Sequence, residues 1–441
     1  MSSMAIVGLP FLSERDPAVR AEGYLDPLGL YAMADALAVK LVPGVRERQN
    51  NPRFLTAMAV GHCVCEEWDD DVVAADRLSP PWQVFEWYVV EGLVRKLTDE
   101  AALRGLPGRD KARTAIRDGV PLSAARYLKS PSVFGFHGVF RLLAHELGLE
   151  IGGRLGEFGF ELASLWADEQ GLPGFVGTAE GVGKAWRRRL RDAVADGLGK
   201  GATARSAGWQ GWQFIAEHLS PHDVGDREAR VIRDALAGPS NGFRAEVLEF
   251  LVSKQGRRQW QETPESERDF HHALRGVSAD PLRALLDTIL AYERLARLFQ
   301  DAFDACLHAM SQGATRVRLA ALARLPAVRA AWNEVPALFP EVLERSEPYG
   351  IAQRLHDGLA EPSQRGGLQE WTERLLAHHQ RVQRGKPPAG RAPWVERLDD
   401  GSYLVRARYR RAESPGGGRQ YVHRYRTRPL WSFARELRCT A

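Results

Sequence analysis

Cysteine is scarce in this chain: its 441 residues hold four, Cys63, Cys65, Cys306 and Cys439. That is too few for the disulfide framework of a small secreted domain, and none stands at the C-x-x-C spacing of a zinc site. A reducing, cytoplasmic setting is the expectation. Long uncharged apolar runs are also lacking, with nothing near the roughly 18 residues that a membrane span requires, so no membrane partner is expected. The apolar stretch at 5–12 is broken by Gly8 and Pro10 and lacks the basic residues that open a secretory signal.

The common motifs of catalysis are missing too. There is no nucleophile elbow, no HExxH and no clear Asp…Glu-x-Lys nuclease core. Residues 177–184 imitate a phosphate-binding loop, but the spacing to Gly183-Lys184 is one residue too long. Ala185 also stands where Ser or Thr would hold magnesium, and no apolar strand precedes the loop. His62, Cys63 and Cys65 precede Glu66, Glu67, Asp69, Asp70 and Asp71. The side-chain types suit a metal, yet the spacing matches no standard ligand set and reads as a solvated helix end. His271-His272 and His378-His379 are adjacent pairs whose rings diverge on a helix. No metal, cofactor or catalytic residue is assigned.

What the chain does have is unevenly placed charge. The formal net charge is only +4. From Arg381 onwards, however, fifteen Arg or Lys face five Asp or Glu, a net of +10, which leaves 45 basic and 51 acidic residues earlier. Such asymmetry points to a polyanionic partner for the basic part.

Apolar spacing predicts a mainly α, multidomain protein. An N-terminal helical region (1–81) contains a helix over 30–41, ended by Val42-Pro43-Gly44. Arg46, Arg48 and Arg53 follow and read as a solvated connection, with phosphate contact as the alternative. Residues 82–175 suggest a winged-helix-like domain. Its helices would cover 85–97, 121–128 and 136–147, with two short strands around a glycine turn at 148–156 and a closing helix at 158–169. In a winged helix the second motif helix enters the major groove. His137, Arg141 and His145 on that helix and Arg154 on the wing would then touch DNA, whereas a unit used for protein contacts is the alternative.

Residues 176–384 read as a helical scaffold domain. Near its start Arg187, Arg188 and Arg191 surround Trp186 on a basic turn that is either a solvated face or a grip on phosphate. Trp209 and Trp212 are expected in a core. Leu282, Leu285, Leu286, Ile289, Tyr292, Leu295, Phe299, Phe303, Cys306 and Met310 hold helical spacing over about eight turns, from Asp280-Pro281 to Gly313. Further helices are predicted over 316–325, 326–337 and 368–383.

A Pro/Gly-rich linker (385–393) then leads to a basic C-terminal β-hairpin or antiparallel meander (394–441). Strands are predicted over 394–398, 403–410 and 419–428, with an Asp-Gly turn at Asp400-Gly401. Alternation puts Arg406, Arg408 and Arg410 on one face of the second strand, and Arg424, Arg426 and Arg428 on one face of the third. Six like charges across a strand pair repel, an arrangement that a polyanion would relieve.

Several segments resemble an uncharacterised protein family found among prokaryotic anti-phage defence genes. They are Leu25-Asp26-Pro27-Leu28-Gly29; Pro43-Gly44 with Arg48 and Pro52-Arg53-Phe54; Phe134 to Arg141 with Gly153-Arg154-Leu155-Gly156; and Tyr421-Val422-His423-Arg424-Tyr425. The resemblance implies a component of a multigene defence system, with other defence proteins as partners. Together these readings predict a non-enzymatic subunit binding nucleic acid, double-stranded DNA foremost. A protein-binding scaffold and a metal-dependent nuclease built on the acids near Asp69 are the alternatives.

Overall fold

A computed structural model describes residues 26–439 except 70, 263–265, 313–315, 388–389, 412–417 and 419. The apolar stretch at 5–12, Asp70, Gly313 and most of the loop after Arg411 lie outside the described residues. Helix dominates, as the periodicity implies: the described residues form nineteen α-helices and five short strands. Among them, no helix is long and apolar enough to cross a membrane.

The chain divides into two compact units, one made of Met1–Ala36 with Asp287–His423, the other of Leu37–Leu286 with Arg424–Ala441. These are not the domains expected from composition. Two of the boundaries fall inside the helices Tyr31–Leu41 and Asp280–Ser311. In the stretch expected as a linker, Lys386 and Arg391 are held: Lys386 Nζ donates to the Asp26 carbonyl at 2.5 Å and the Arg391 N–H to the Gln383 carbonyl at 2.9 Å. Pro and Gly there end a helix without releasing the chain that follows.

The larger unit is built around the helix Pro81–Lys96. Pro81 at its start carries no N–H that would be orphaned, and residues 83–93 are all buried, Gln83, Glu86 and Glu91 included, so this helix is enclosed on every side. The helix Gly211–His218 packs on it at Gly92, where a Cβ would meet Ile215 Cγ2 at 2.9 Å. Trp212 stacks with Tyr88 and is fully buried, as expected of a core residue, whereas Trp209 meets Tyr88 edge-on and is half-buried. The ion pair of Arg53 with Glu228 (3.1 Å) is also buried, with Thr56 donating to the same carboxylate. Arg53 is thus neither solvated nor placed to meet phosphate.

The winged-helix reading matches in part. The helices Phe136–Glu146 and Glu157–Glu169 form, and Glu150–Ile151 pairs antiparallel with Arg154–Leu155. The helix expected over 121–128 does not form. Leu122 and Thr203 instead exchange hydrogen bonds, Leu122 N–H to Thr203 Oγ1 at 3.0 Å and Thr203 N–H to the Leu122 carbonyl at 2.9 Å, beside a bridge between Ser123 and Ala202. Pairing with a segment some eighty residues away outweighs local helical spacing.

In the smaller unit, the helix Pro326–Ser346 outruns the expected 326–337. It passes through Pro336 and Pro340 because Val335, Leu338, Phe339 and Val342 stay buried on one face. The strand Ser402–Val405 lies between Val395–Arg397 and a two-residue strand, Val317–Arg318. That outer strand replaces the one expected at 419–428.

Candidate nucleic-acid interface and a buried histidine cluster

The six arginines expected on one sheet face are not there. The second strand ends at Val405, and a 3-10 turn, Ala407–Tyr409, follows. Arg406 stands 4.0 Å from Glu396, Arg408 lies over the Tyr409 ring at 5.1 Å, and Arg410 is exposed. Arg424, Arg426 and Arg428 belong to the other unit. Residues 420–426 form no strand, and a helix starts at Thr427. His423, Tyr425 and Thr427 are buried while Arg424 and Arg428 are exposed, but Arg426 is buried as well, so the inward–outward alternation breaks there. Alternation comes with any extended backbone; a ladder needs a partner strand as well.

Here the backbone amides are taken by carboxylates. Within the smaller unit Glu293 Oε2 accepts from the N–H groups of Val422 (2.6 Å) and His423 (3.3 Å). Within the larger unit Glu267 accepts from Tyr425 (2.7 Å) and Thr427 (2.8 Å), and Glu47 from Arg426 (3.0 Å). Arg426 sits at φ +68° and is buried, its guanidinium donating to the Val42 carbonyl at 3.4 Å. It therefore cannot reach a nucleic acid. Burial pushes the Glu267 carboxyl up to about 7 and raises Glu47 as well, against the pull of Arg424 beside Glu47.

The other expected contact residues separate in the same way. Arg141, Arg154 and Arg188 are exposed. Arg187 and Arg191 pair with Glu66 at 3.4 and 2.9 Å, and Arg191 also meets Glu67, so acids from the cluster near Asp69 already neutralise them. His137 is buried, its ring stacked on Trp82 at 4.3 Å and its backbone N–H held by Glu86 at 2.9 Å. It does not face a groove.

A cleft that no sequence pattern announced lies on the larger unit. About 520 Å³ in volume, it is lined by Asn50, Asn51, Arg104, His222, Trp260, Gln261, Arg428, Trp431, Ser432 and Arg435. The C-terminal helix Thr427–Glu436 supplies four of these, Arg428, Trp431, Ser432 and Arg435, because residues three and four apart share a helix face. Gln261 also lines a second groove with Lys254, Arg257, Arg258 and Glu262, where Glu262 pairs with Arg258 at 2.6 Å. His222 Nδ1 faces Glu436 at 3.1 Å and Nε2 faces the Arg104 carbonyl at 3.3 Å. Both partners can only accept, so full satisfaction requires both ring N–H groups, the imidazolium form. The bond to Glu436 accordingly raises the His222 pKa.

A second constellation stands apart from that cleft. His62, near the end of the helix Phe54–Cys65, meets His137 and Glu150, and one ligand atom from each lies within 4.8 Å of the others. His62 Nε2 is 3.5 Å and His137 Nε2 3.8 Å from Glu150 Oε2, while His145 Nε2 is 3.8 Å from Oε1. Burial opposes the charge on Glu150, yet the three imidazoles around it hold its carboxyl down at about 2; burial also pushes His137 down to about 4. The sequence reading missed this group because it sought the partners of His62 next door, among Cys63, Cys65 and the acids. Both thiols are instead pushed well above the ordinary range by burial.

No protein-family model, curated protein or solved structure matches the chain.

Proposed function

We propose that the chain binds nucleic acid through the basic, tryptophan-bearing cleft of the larger unit, as a DNA-binding component of a prokaryotic anti-phage defence system. The observation that carries this reading is the clustering of Arg104, Arg428 and Arg435 with the half-buried Trp431 around about 520 Å³, beside Lys254 and Arg257. Guanidinium groups meet phosphate oxygens in fork geometry, and an indole face supports a base or sugar. The defence role rests on the sequence resemblance alone. The hairpin arginines no longer support the reading as a set, and the exposed Arg141 and Arg154 remain secondary candidates.

The test is a salt titration of binding to duplex and single-stranded oligonucleotides, comparing the intact chain with Arg428→Ala/Arg435→Ala. Losing two phosphate contacts lowers the log–log salt slope by about 1.8 on duplex and about 1.4 on a single strand. Identical affinity and slope in the variant would remove the cleft from consideration. Protonation of His222 adds a cation to the same cleft. Affinity should therefore rise as pH falls through its raised pKa, and His222→Gln should flatten that rise.

A further inference from the structure

We propose that His62, His137 and Glu150 form a mononuclear site for a divalent first-row transition ion, zinc foremost, with His145 at the rim facing the second Glu150 oxygen. The donor set is two imidazoles and a carboxylate, with a third imidazole at the rim, the chemistry that suits zinc rather than magnesium or calcium. For tetrahedral zinc with bonds of about 2.0–2.1 Å, neighbouring donor atoms lie about 3.3 Å apart. The separations of 3.5 and 3.8 Å from the Glu150 carboxylate lie a few tenths of an ångström from that value.

Three independent features point to an ion rather than to an ordinary polar contact. First, His62 Nε2 and Glu150 Oε2 are buried and have no hydrogen-bond partner among the described residues, although the Glu150 side chain is only 6% exposed. Buried polar atoms are normally satisfied, and an ion between these two would satisfy both. Second, His145 Nδ1 lies 3.1 Å from the Glu150 carbonyl. A carbonyl only accepts, so the Nδ1–H bond orients His145 with Nε2 facing the Glu150 carboxylate. Groups that orient a ligating carboxylate are usual around a bound metal. Third, the groups are held in place by their elements. The Trp82 ring stacks on His137, Glu86 accepts from the His137 backbone N–H, and the strand pair Glu150–Ile151 with Arg154–Leu155 presents Glu150. An ion here would join the helices Phe54–Cys65 and Phe136–Glu146 to the small hairpin, a structural staple for the wing-like part of the larger unit.

The experiment uses the full chain without a histidine tag, expressed in zinc-supplemented medium. Metal is measured by inductively coupled plasma mass spectrometry, and cobalt(II) is then titrated into chelator-treated protein. Stoichiometric zinc, with intense tetrahedral cobalt absorption saturating at equimolar ion, is the expected result. Glu150→Gln and His62→Gln should abolish both, and His145→Gln should weaken cobalt affinity roughly tenfold or more, as loss of a supporting group does elsewhere. Folded wild-type protein that retains no zinc and develops no cobalt absorption overturns the proposal, whatever the variants do. So does undiminished zinc in a folded Glu150→Gln. Nucleic-acid binding is read separately and decides neither outcome.

Discussion

Two stretches near the C-terminus carry the same period-two pattern and meet opposite structural fates. In Ser402–Val405 the backbone joins a three-stranded sheet, with Val405 opposite Val395 and Tyr403 opposite both Arg397 and Val317. In 421–427 the amides are satisfied by Glu293, Glu267 and Glu47, and Tyr425, Arg426 and Thr427 are all buried. A period-two sequence pattern thus fixes neither which side chains are buried nor what the backbone bonds to. The difference also decides function: arginines on a sheet face would form a plane of charge, whereas those after Tyr425 enter a helix that directs Arg428 and Arg435 into a cleft.

The comparison is broken most severely at Glu267. Glu267→Ala strips the acceptor from two buried amides, those of Tyr425 and Thr427. Each orphaned donor costs about 1–3 kcal/mol, so a loss of about 4 kcal/mol is expected in urea denaturation followed by tryptophan fluorescence. A loss under about 1 kcal/mol, within the range of ordinary surface substitutions, would mean that the carboxylate does not replace a partner strand.

Acidity sharpens the same contrast. Glu267 is pushed up to about 7 from an ordinary 4.5, so the folded state holds its proton more tightly than the unfolded state. Stability from this group is therefore lost as pH rises from about 4.5 through about 7. Glutamine keeps one acceptor oxygen and cannot charge. The stability of Glu267→Gln relative to wild type should then improve between pH 5 and 8, by at most about 3 kcal/mol. Taking the difference cancels opposing contributions from histidines held down by burial, such as His271 and His379. A difference that is flat with pH, or worsens, contradicts the reading.

What was legible in the sequence follows the same division between local and distant causes. The helix Asp280–Ser311 could be read from spacing alone because its pattern and its hydrogen bonds are both local. The diverging rings of His378 and His379 were legible for that reason, and each bonds a different carbonyl, Leu28 and Pro27, at 2.8 Å. Arg53 was not, since the acid that neutralises it, Glu228, is 175 residues away. The outer strand Val317–Arg318 is too short to carry any period. Of the cleft arginines, only Arg428 was singled out in the sequence, and for the wrong reason, as part of a strand; Arg104 and Arg435 were not. The histidine cluster needed a fold to bring His62 to His137.

A third prediction separates the two sets of arginines. If the cleft binds nucleic acid, Arg408→Ala/Arg410→Ala should change the log–log salt slope by less than about 0.5, against about 1.8 for the pair in the cleft. Equal effects on binding would restore a shared basic face.

The smallest effect is expected at Leu404, and it tests the sheet side of the comparison. Leu404 is half-buried and lies opposite Glu396 in the ladder. The strand's hydrogen bonds run between backbones, so shortening this side chain removes some packing and no bond. Leu404→Ala should cost about 1 kcal/mol or less. Hydrogen exchange gives the sharper readout: the amides of 402–405 should stay protected in Leu404→Ala, while those of Tyr425 and Thr427 should exchange much faster in Glu267→Ala. Protection lost at 402–405 would show that this short strand depends on its side chains as heavily as the extended segment depends on its glutamates, and the two stretches would then be variants of one solution.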